Sequence, residues 1–533
     1  MTLLRNAMLN SSDVKTLRSV VYHMTLSKEK RPREGKFPEE LAVVTSDLMP
    51  GRNVRQQEPL SVTDSAHQLA MIPKMTPDLS FGQNLLTTLE QDPSSDRWPR
   101  FRALGVLECQ AYLQHYDELI AAVPFAIRRP KLSLAAFMTR SPLLLLSIIL
   151  TASSSCQILE SESESLFRHI LADRVVVRGQ RSLELLQGLL TYLIYHHHRH
   201  NHDTQQYFQF LQLALAMAAD LGLYKRFSHP KPSVWASESD LNVLRAFLLC
   251  YYLSCGVGIL GYDRPDGMRC IQSLRHAAQS LAQRSTDGFD REAPALVELL
   301  YILAQHRDYL NCPTSNLPQS WNLAAAMEVW SASYPTASTL TAIKSMQHFV
   351  YVYGMLKCAR QDTLSKQDRE TSLETLALVL SHVLERGAIY LVLFGVAEWG
   401  HILTTLFLLP RVEGSAADHP AGTNGVPLTL HYVSRFRQNL QEARTLATRD
   451  IVLGTPTFFG WLDRILCAVE RQAALHPTSI RTRQDQDRGD ESAYELVNAF
   501  IDQEPNQGAV LPRGEDKDQE DFWSDFMSEW LDW

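Results

Sequence analysis

From Phe101 onward the apolar residues repeat at the spacing of a helix face, segment after segment, and almost nothing alternates as a strand would. Phe101, Leu104, Leu107, Ala111, Tyr116, Leu119, Ile120 and Val123 form the first such run, which Pro124 ends. Ser141-Pro142 then opens a wholly apolar stretch, with proline suited to a first helical turn. Ser182 to His198 carries Leu183, Leu186, Leu189, Leu190 and Leu193 on one face. Tyr207 to Leu221 repeats the pattern, and Gly222 is placed to cap it. Asp240 to Cys255 is aromatic and apolar on nearly every side, which marks a buried helix. Further helices are expected to about residue 410, then near Leu428–Thr448 and Trp461–Leu475. Val175-Val176-Val177 is strand-like but has no hairpin partner. The pattern predicts an all-α protein, a large helical array.

The chain's 533 residues exceed one simple core. Four regions are expected. Residues 1–95 carry scattered prolines without an apolar period, which predicts a largely disordered N-terminal region. Residues 96–475 form the helical body, 476–514 a polar linker, and 515–533 an acidic-aromatic tail. The eight cysteines include no CxxC pair, which predicts reduced, mostly buried thiols in an intracellular protein. Two apolar runs invite a membrane reading. Pro142–Ala152 is too short for a span, and Gly387–Leu409 contains Glu398 and His401, so both are expected in a protein core. Met1 to Val20 has no continuous apolar core, so a secretory signal is not expected.

With a net charge of −8, no global positive field is available to hold nucleic acid. A local basic run, Lys28, Lys30, Arg31, Arg33 and Lys36, suits a nuclear-localisation signal or a weak phosphate-binding arm, and equally an ordinary solvated cluster. His196 to His202 offers i, i+4 pairs at His196/His200 and His198/His202. Those pairs point about 200° apart on a helix and cannot close one metal site. A solvated helix end is expected there. Gly256-Val257-Gly258-Ile259-Leu260-Gly261 spells a dinucleotide fingerprint, but a helix precedes it where a strand is needed. It reads as a helix-to-loop transition. No catalytic, cofactor-binding or metal-ligating residue is therefore assigned.

The tail is more specific. Phe522, Phe526, Trp530 and Trp533 fall within an arc of about 80° on a helix, beside Trp523 and among eight acidic residues. Acidic neighbours keep such a stripe solvated until a partner's groove accepts it, which is the physics of an activation segment. The same stripe could instead dock on the chain's own body.

The segments HYDELIAAVPFAIRRP, SPLLLLSIILTASS, RSLELLQGLLTYLIYHHH and QYFQFLQLALAMAADLGLYKR closely resemble the middle homology region of fungal zinc-cluster transcription factors. DLNVLRAFLLCYYLSCGVGILGYDRP resembles the family's arginine–tryptophan helix, although Arg245 stands largely alone there and Asp263 replaces a glycine before Arg264-Pro265. FWSDFMSEWLDW is similar to acidic-aromatic ends in the family. The resemblance implies a nuclear regulator of transcription, controlling a specific pathway or secondary-metabolite gene cluster. No cysteine precedes Cys109, so the family's six-cysteine zinc cluster is not present in this sequence. A coregulator acting through a DNA-bound partner, a regulator with another DNA element in residues 1–95, and a chain missing its N-terminus all fit that departure. Expected partners are coactivators or a DNA-bound regulator, with DNA engaged only indirectly, and a small-molecule effector. The competing expectation is a helical ligand-binding protein or enzyme on the same fold. It requires an enclosed polar pocket with a positioned histidine or carboxylate.

Overall fold

A computed structural model describes residues 80–91, 96–154, 156–196, 206–228, 237–259, 267–311, 322–337, 341–360, 366–414, 427–447 and most of 458–470. Among them there is no strand; the body is all-α, as the periodicity predicts. The first half runs through α1 (Ser80–Thr88), α2 (Pro99–Arg102), α3 (Val106–Leu119), α4 (Leu134–Arg140), α5 (Pro142–Ala152), α6 (Gln157–Leu171) and α7 (Leu183–Ile194). Then follow α8 (Tyr207–Asp220), α9 (Leu223–Arg226), α10 (Glu238–Ile259), α11 (Gln272–Arg284), α12 (Gly288–Arg291), α13 (Ala293–Asn311) and α14 (Leu323–Ser333). The last part comprises α15 (Thr341–Arg360), α16 (Lys366–Leu384), α17 (Ala388–Val392), α18 (Val396–Gly414) and α19 (Leu428–Ala447).

The apolar α5 explains the centre of the first half. Every one of its residues is buried, enclosed by α3, α4, α6 and α7. Burying a helix on all sides leaves its first backbone N–H groups without water, so they need another acceptor. Glu184, at the start of α7, supplies it: its Oε1 accepts from Leu143 N–H at 2.7 Å. Burial raises the pKa of this carboxyl, while the backbone N–H groups of Leu143 and Leu144 act the other way. Ser182 caps α7 in turn, accepting from Leu185 N–H at 3.2 Å, and Gly222, with φ +67°, ends α8 as expected.

Two expectations are corrected, and the valine segment, for which no strand was expected, is placed. The Phe101–Val123 run is interrupted at Ala103–Gly105, where Gly105 caps α3. Val175–Val177 lies in a π-helical continuation of α6, Ala172–Val177, with Val176 and Val177 exposed. The body begins before residue 96. Phe81, Leu85, Leu86 and Leu89 of α1 are buried, and α1 packs on α2 and α4.

Gly387–Leu409 is two helices, α17 and α18, separated at Leu393–Gly395. Among the described residues no single helix is long and apolar enough to cross a membrane; one pair, α4 and α5, passes that test jointly but is bent by 115°. Cys109, Cys250 and Cys255 are buried, and Cys156, Cys270 and Cys467 half-buried, all as reduced thiols. Burial pushes the Cys250 thiol up to about 12, the behaviour of an inert core cysteine.

α10 joins the two halves. It packs against α7, α8, α11, α13 and α18, and α18 packs against α15, α16 and α19. Buried Trp399 of α18 holds the end of the body. Its ring lies edge-on to Phe394, Phe436, Phe458 and Phe459 at 5.1–6.3 Å.

Candidate functional site

Two polar clusters sit on α10, one near each end, and they serve different ends. Near its start, Arg245 is buried with its side chain 3 % exposed. Its guanidinium forks onto Asp290, Nε at 3.1 Å and Nη2 at 2.6 Å from Oδ2. Nη1 donates to Asn242 Oδ1 at 2.8 Å and also pairs with Glu238. Asn242 grips the backbone of Arg128, accepting from its N–H at 3.1 Å and donating to its carbonyl at 2.6 Å. Arg128 itself pairs with Asp287 at 2.7 Å. Arg245, largely alone on its helix in the motif the sequence resembles, finds its partners from distant segments in the fold. It ties the 127–129 segment, α10 and the 285–290 turn into one network. Sequence reasoning missed this because Asp290 is 45 positions away and the pairing depends on the tertiary approach.

Toward the other end of α10, Tyr252 reaches α18 and donates to Glu398 Oε1. Gly395 precedes α18 and Glu398 is its third residue, so the carboxyl reaches back to the Gly395 N–H as in a capping box. Burial dominates its titration and raises it above the usual carboxylate range, against the hydrogen bonds from Tyr252 and the backbone. One turn on, His401 is 5 % exposed. Its ring stacks on Phe349 of α15 at 4.1 Å, while its Nε2 has no hydrogen-bond partner among the described residues. Burial pushes its pKa down to about 3, so the imidazole is neutral. Tyr252, Glu398, His401, Ser345, Phe349, Val379, Tyr390, Phe394 and Ile402 together line a recess between α10, α15, α16 and α18.

A histidine and a carboxylate both line this recess, but its enclosed part has room for little more than a water-sized group, short of the enclosed polar pocket that the competing expectation required. Chemically it favours binding over acid–base work. Glu398 is engaged by Tyr252 and by its own helix end, and an imidazole titrating near 3 is a weak base. Glu398 and His401 are visible in the sequence as the polar interruptions of Gly387–Leu409; that they meet Tyr252 and Phe349 is not.

The lowered pKa sets a pH dependence. The folded state binds the His401 proton less well than the unfolded chain does, so stability falls as pH drops below about 6.5 and continues falling toward the folded value. The ionisable neighbours facing it are Glu398, Tyr252 and Tyr390; Glu398, raised, acts with the opposite sign. Denaturant unfolding at pH 7 and pH 5 is expected to show wild type losing about 2 kcal/mol more than His401→Phe over that interval. Parallel losses would show that His401 titrates normally.

The remaining sequence-based candidates divide simply. His196 is buried, not solvated as expected; its ring packs against Tyr192 and Tyr207 at 5.2 and 5.5 Å. The other histidines of that run lie outside the described residues. Gly256 to Ile259 continue α10, so these four residues are helical; Leu260 and Gly261 lie outside the described residues. Phe522, Trp523, Phe526, Trp530 and Trp533 lie outside the described residues, as do Lys28, Lys30, Arg31, Arg33 and Lys36. Among the described residues no group of three or more His, Cys, Asp or Glu side chains is placed to hold a metal ion.

No curated protein and no solved structure shows a significant match to the chain. Residues 127–255, which run from the Arg128 anchor into α10, match the family model of the fungal specific transcription factor domain, a domain that points to fungal transcription regulators.

Proposed function

We propose that the chain regulates transcription of a specific pathway or secondary-metabolite gene cluster in the nucleus, reaching promoters through a DNA-bound partner. The observation that carries this reading is the matched domain at residues 127–255, set within a larger helical body. The basic residues Lys28 to Lys36 support nuclear entry, and the aromatic stripe of the tail supports recruitment of coactivators. The family is one of transcription factors and not of enzymes.

Fusing residues 515–533 to a neutral DNA-binding domain should activate a reporter. Replacing Phe522, Phe526, Trp530 and Trp533 together with alanine should abolish that activation. Unchanged activation by the quadruple variant would remove the tail from the mechanism. A role for the body as receptor of a small effector is favoured by one observation, the buried His401 nitrogen without a partner in a lined recess.

A further inference from the structure

We infer that the recess between α10, α15, α16 and α18 binds a small neutral aromatic molecule bearing one hydrogen-bond donor, a phenol being the simplest, with the His401 imidazole as its acceptor. The inference rests on the reading of the body as an effector receptor and supplies its site and ligand class.

The polar groups of the recess are not equivalent. Tyr252 donates to Glu398, and the Glu398 carboxyl also takes the N–H at its own helix start. Those two groups satisfy each other. His401 differs: it is 5 % exposed, and its Nε2 lacks any partner among the described residues. A buried acceptor left unpaired is costly, and native cores carry few of them. Stacking on Phe349 holds the ring in place, so its nitrogens cannot swing away to find another partner.

The walls define the rest of the ligand. Phe349, Phe394, Val379 and Ile402 offer hydrocarbon and ring faces. No cationic side chain lines the recess, so a carboxylate or phosphate would enter without a counter-charge. The space between atoms is about 390 Å³, a figure that takes in the open mouth and the solvent in front of it. The enclosed part has room for little more than a water-sized group, which a hydroxyl is. A single ring in the mouth with its hydroxyl directed inward fits both limits.

The experiment is a calorimetric titration of the full chain with p-cresol and, separately, with 4-methylanisole, which has the same ring but no donor. p-Cresol is expected to bind at least tenfold more tightly, the worth of about one hydrogen bond to a buried acceptor. In His401→Phe that preference should vanish through a loss of p-cresol affinity, with 4-methylanisole unchanged. Ser345→Leu, which fills the recess without touching His401, should weaken both ligands and keeps the test valid if His401→Phe does not fold. Equal affinity of wild type for the two ligands, no binding of p-cresol, or p-cresol binding unaffected by Ser345→Leu would overturn the assignment. Failure of these titrations alongside an active tail fusion would remove the ligand site and leave the regulator reading standing. Binding with an inert tail would do the reverse.

Discussion

Replacing Arg245 with alanine should cost on the order of 3–5 kcal/mol of folding stability, the range for breaking a buried ion pair by removing one partner. The loss comes less from the missing attraction than from what remains. Asp290, with its side chain 3 % exposed, would keep a buried charge with only Ser285 Oγ, at 2.5 Å, still donating to it. Asn242 would lose one of its donors while still holding Arg128. Lysine at position 245 is not expected to rescue, because its point charge cannot make the forked contact with Asp290. The pair Arg245→Met with Asp290→Leu should recover most of the stability, since it removes both charges at once. Equilibrium unfolding of the full chain in denaturant reads all three variants. A loss under about 1 kcal/mol for Arg245→Ala would mean that water reaches the network.

The same geometry bears on how the matched domain can be handled. Arg245 lies within residues 127–255, but Asp290 lies beyond them. So do other partners of the segment. Leu119 accepts from Tyr195 Oη at 2.8 Å, and Glu398 accepts from Tyr252. The domain boundary drawn by sequence similarity cuts through buried polar contacts. The folding unit is therefore larger than the matched segment.

The second large effect is expected at Gly82. A Cβ built there would sit 2.1 Å from the carbonyl oxygen of Phe101 and 2.8 Å from that of Arg102. Those atoms are backbone, in the short helix α2, and cannot rotate aside as a side chain could. Gly82 N–H donates to Leu104 O at 3.1 Å, which is the contact that demands so close an approach. Gly82→Ala should therefore displace α1 rather than strain it locally. The variant would lose part of the burial of Phe81, Leu85, Leu86 and Leu89, at about 1.5–3 kcal/mol for each side chain fully exposed. Limited proteolysis should cut after residues 80–91 in the variant under conditions where wild type is resistant. Equal resistance would show that α1 and α2 can separate by the needed distance and remain packed.

What each level of description could reach is plain from particular residues. The periodicity of leucines in α7 and the all-apolar α5 fixed those helices in advance, because amphipathic or fully apolar patterns are local and need only the nearest turn to be read. α1 escaped because its nine residues sit among prolines and its stability comes from packing on α2 and α4, not from its own pattern. The β-branched valines at 175–177 had no partner strand in the sequence, and they continue α6 as a π-turn, since an isolated strand leaves its backbone groups unpaired.

By itself the sequence determined the helical class, the apolar centre at α5 and the family resemblance that residues 127–255 carry. Tertiary structure alone decided that Arg245 meets Asp290, that Glu398 serves as a helix cap joined to Tyr252, and that His401 is left with an unpartnered nitrogen in a recess. The physical reason is the range of the interactions. Helix formation reads residues three and four apart, whereas the energy of a buried polar group depends on which distant atoms happen to face it.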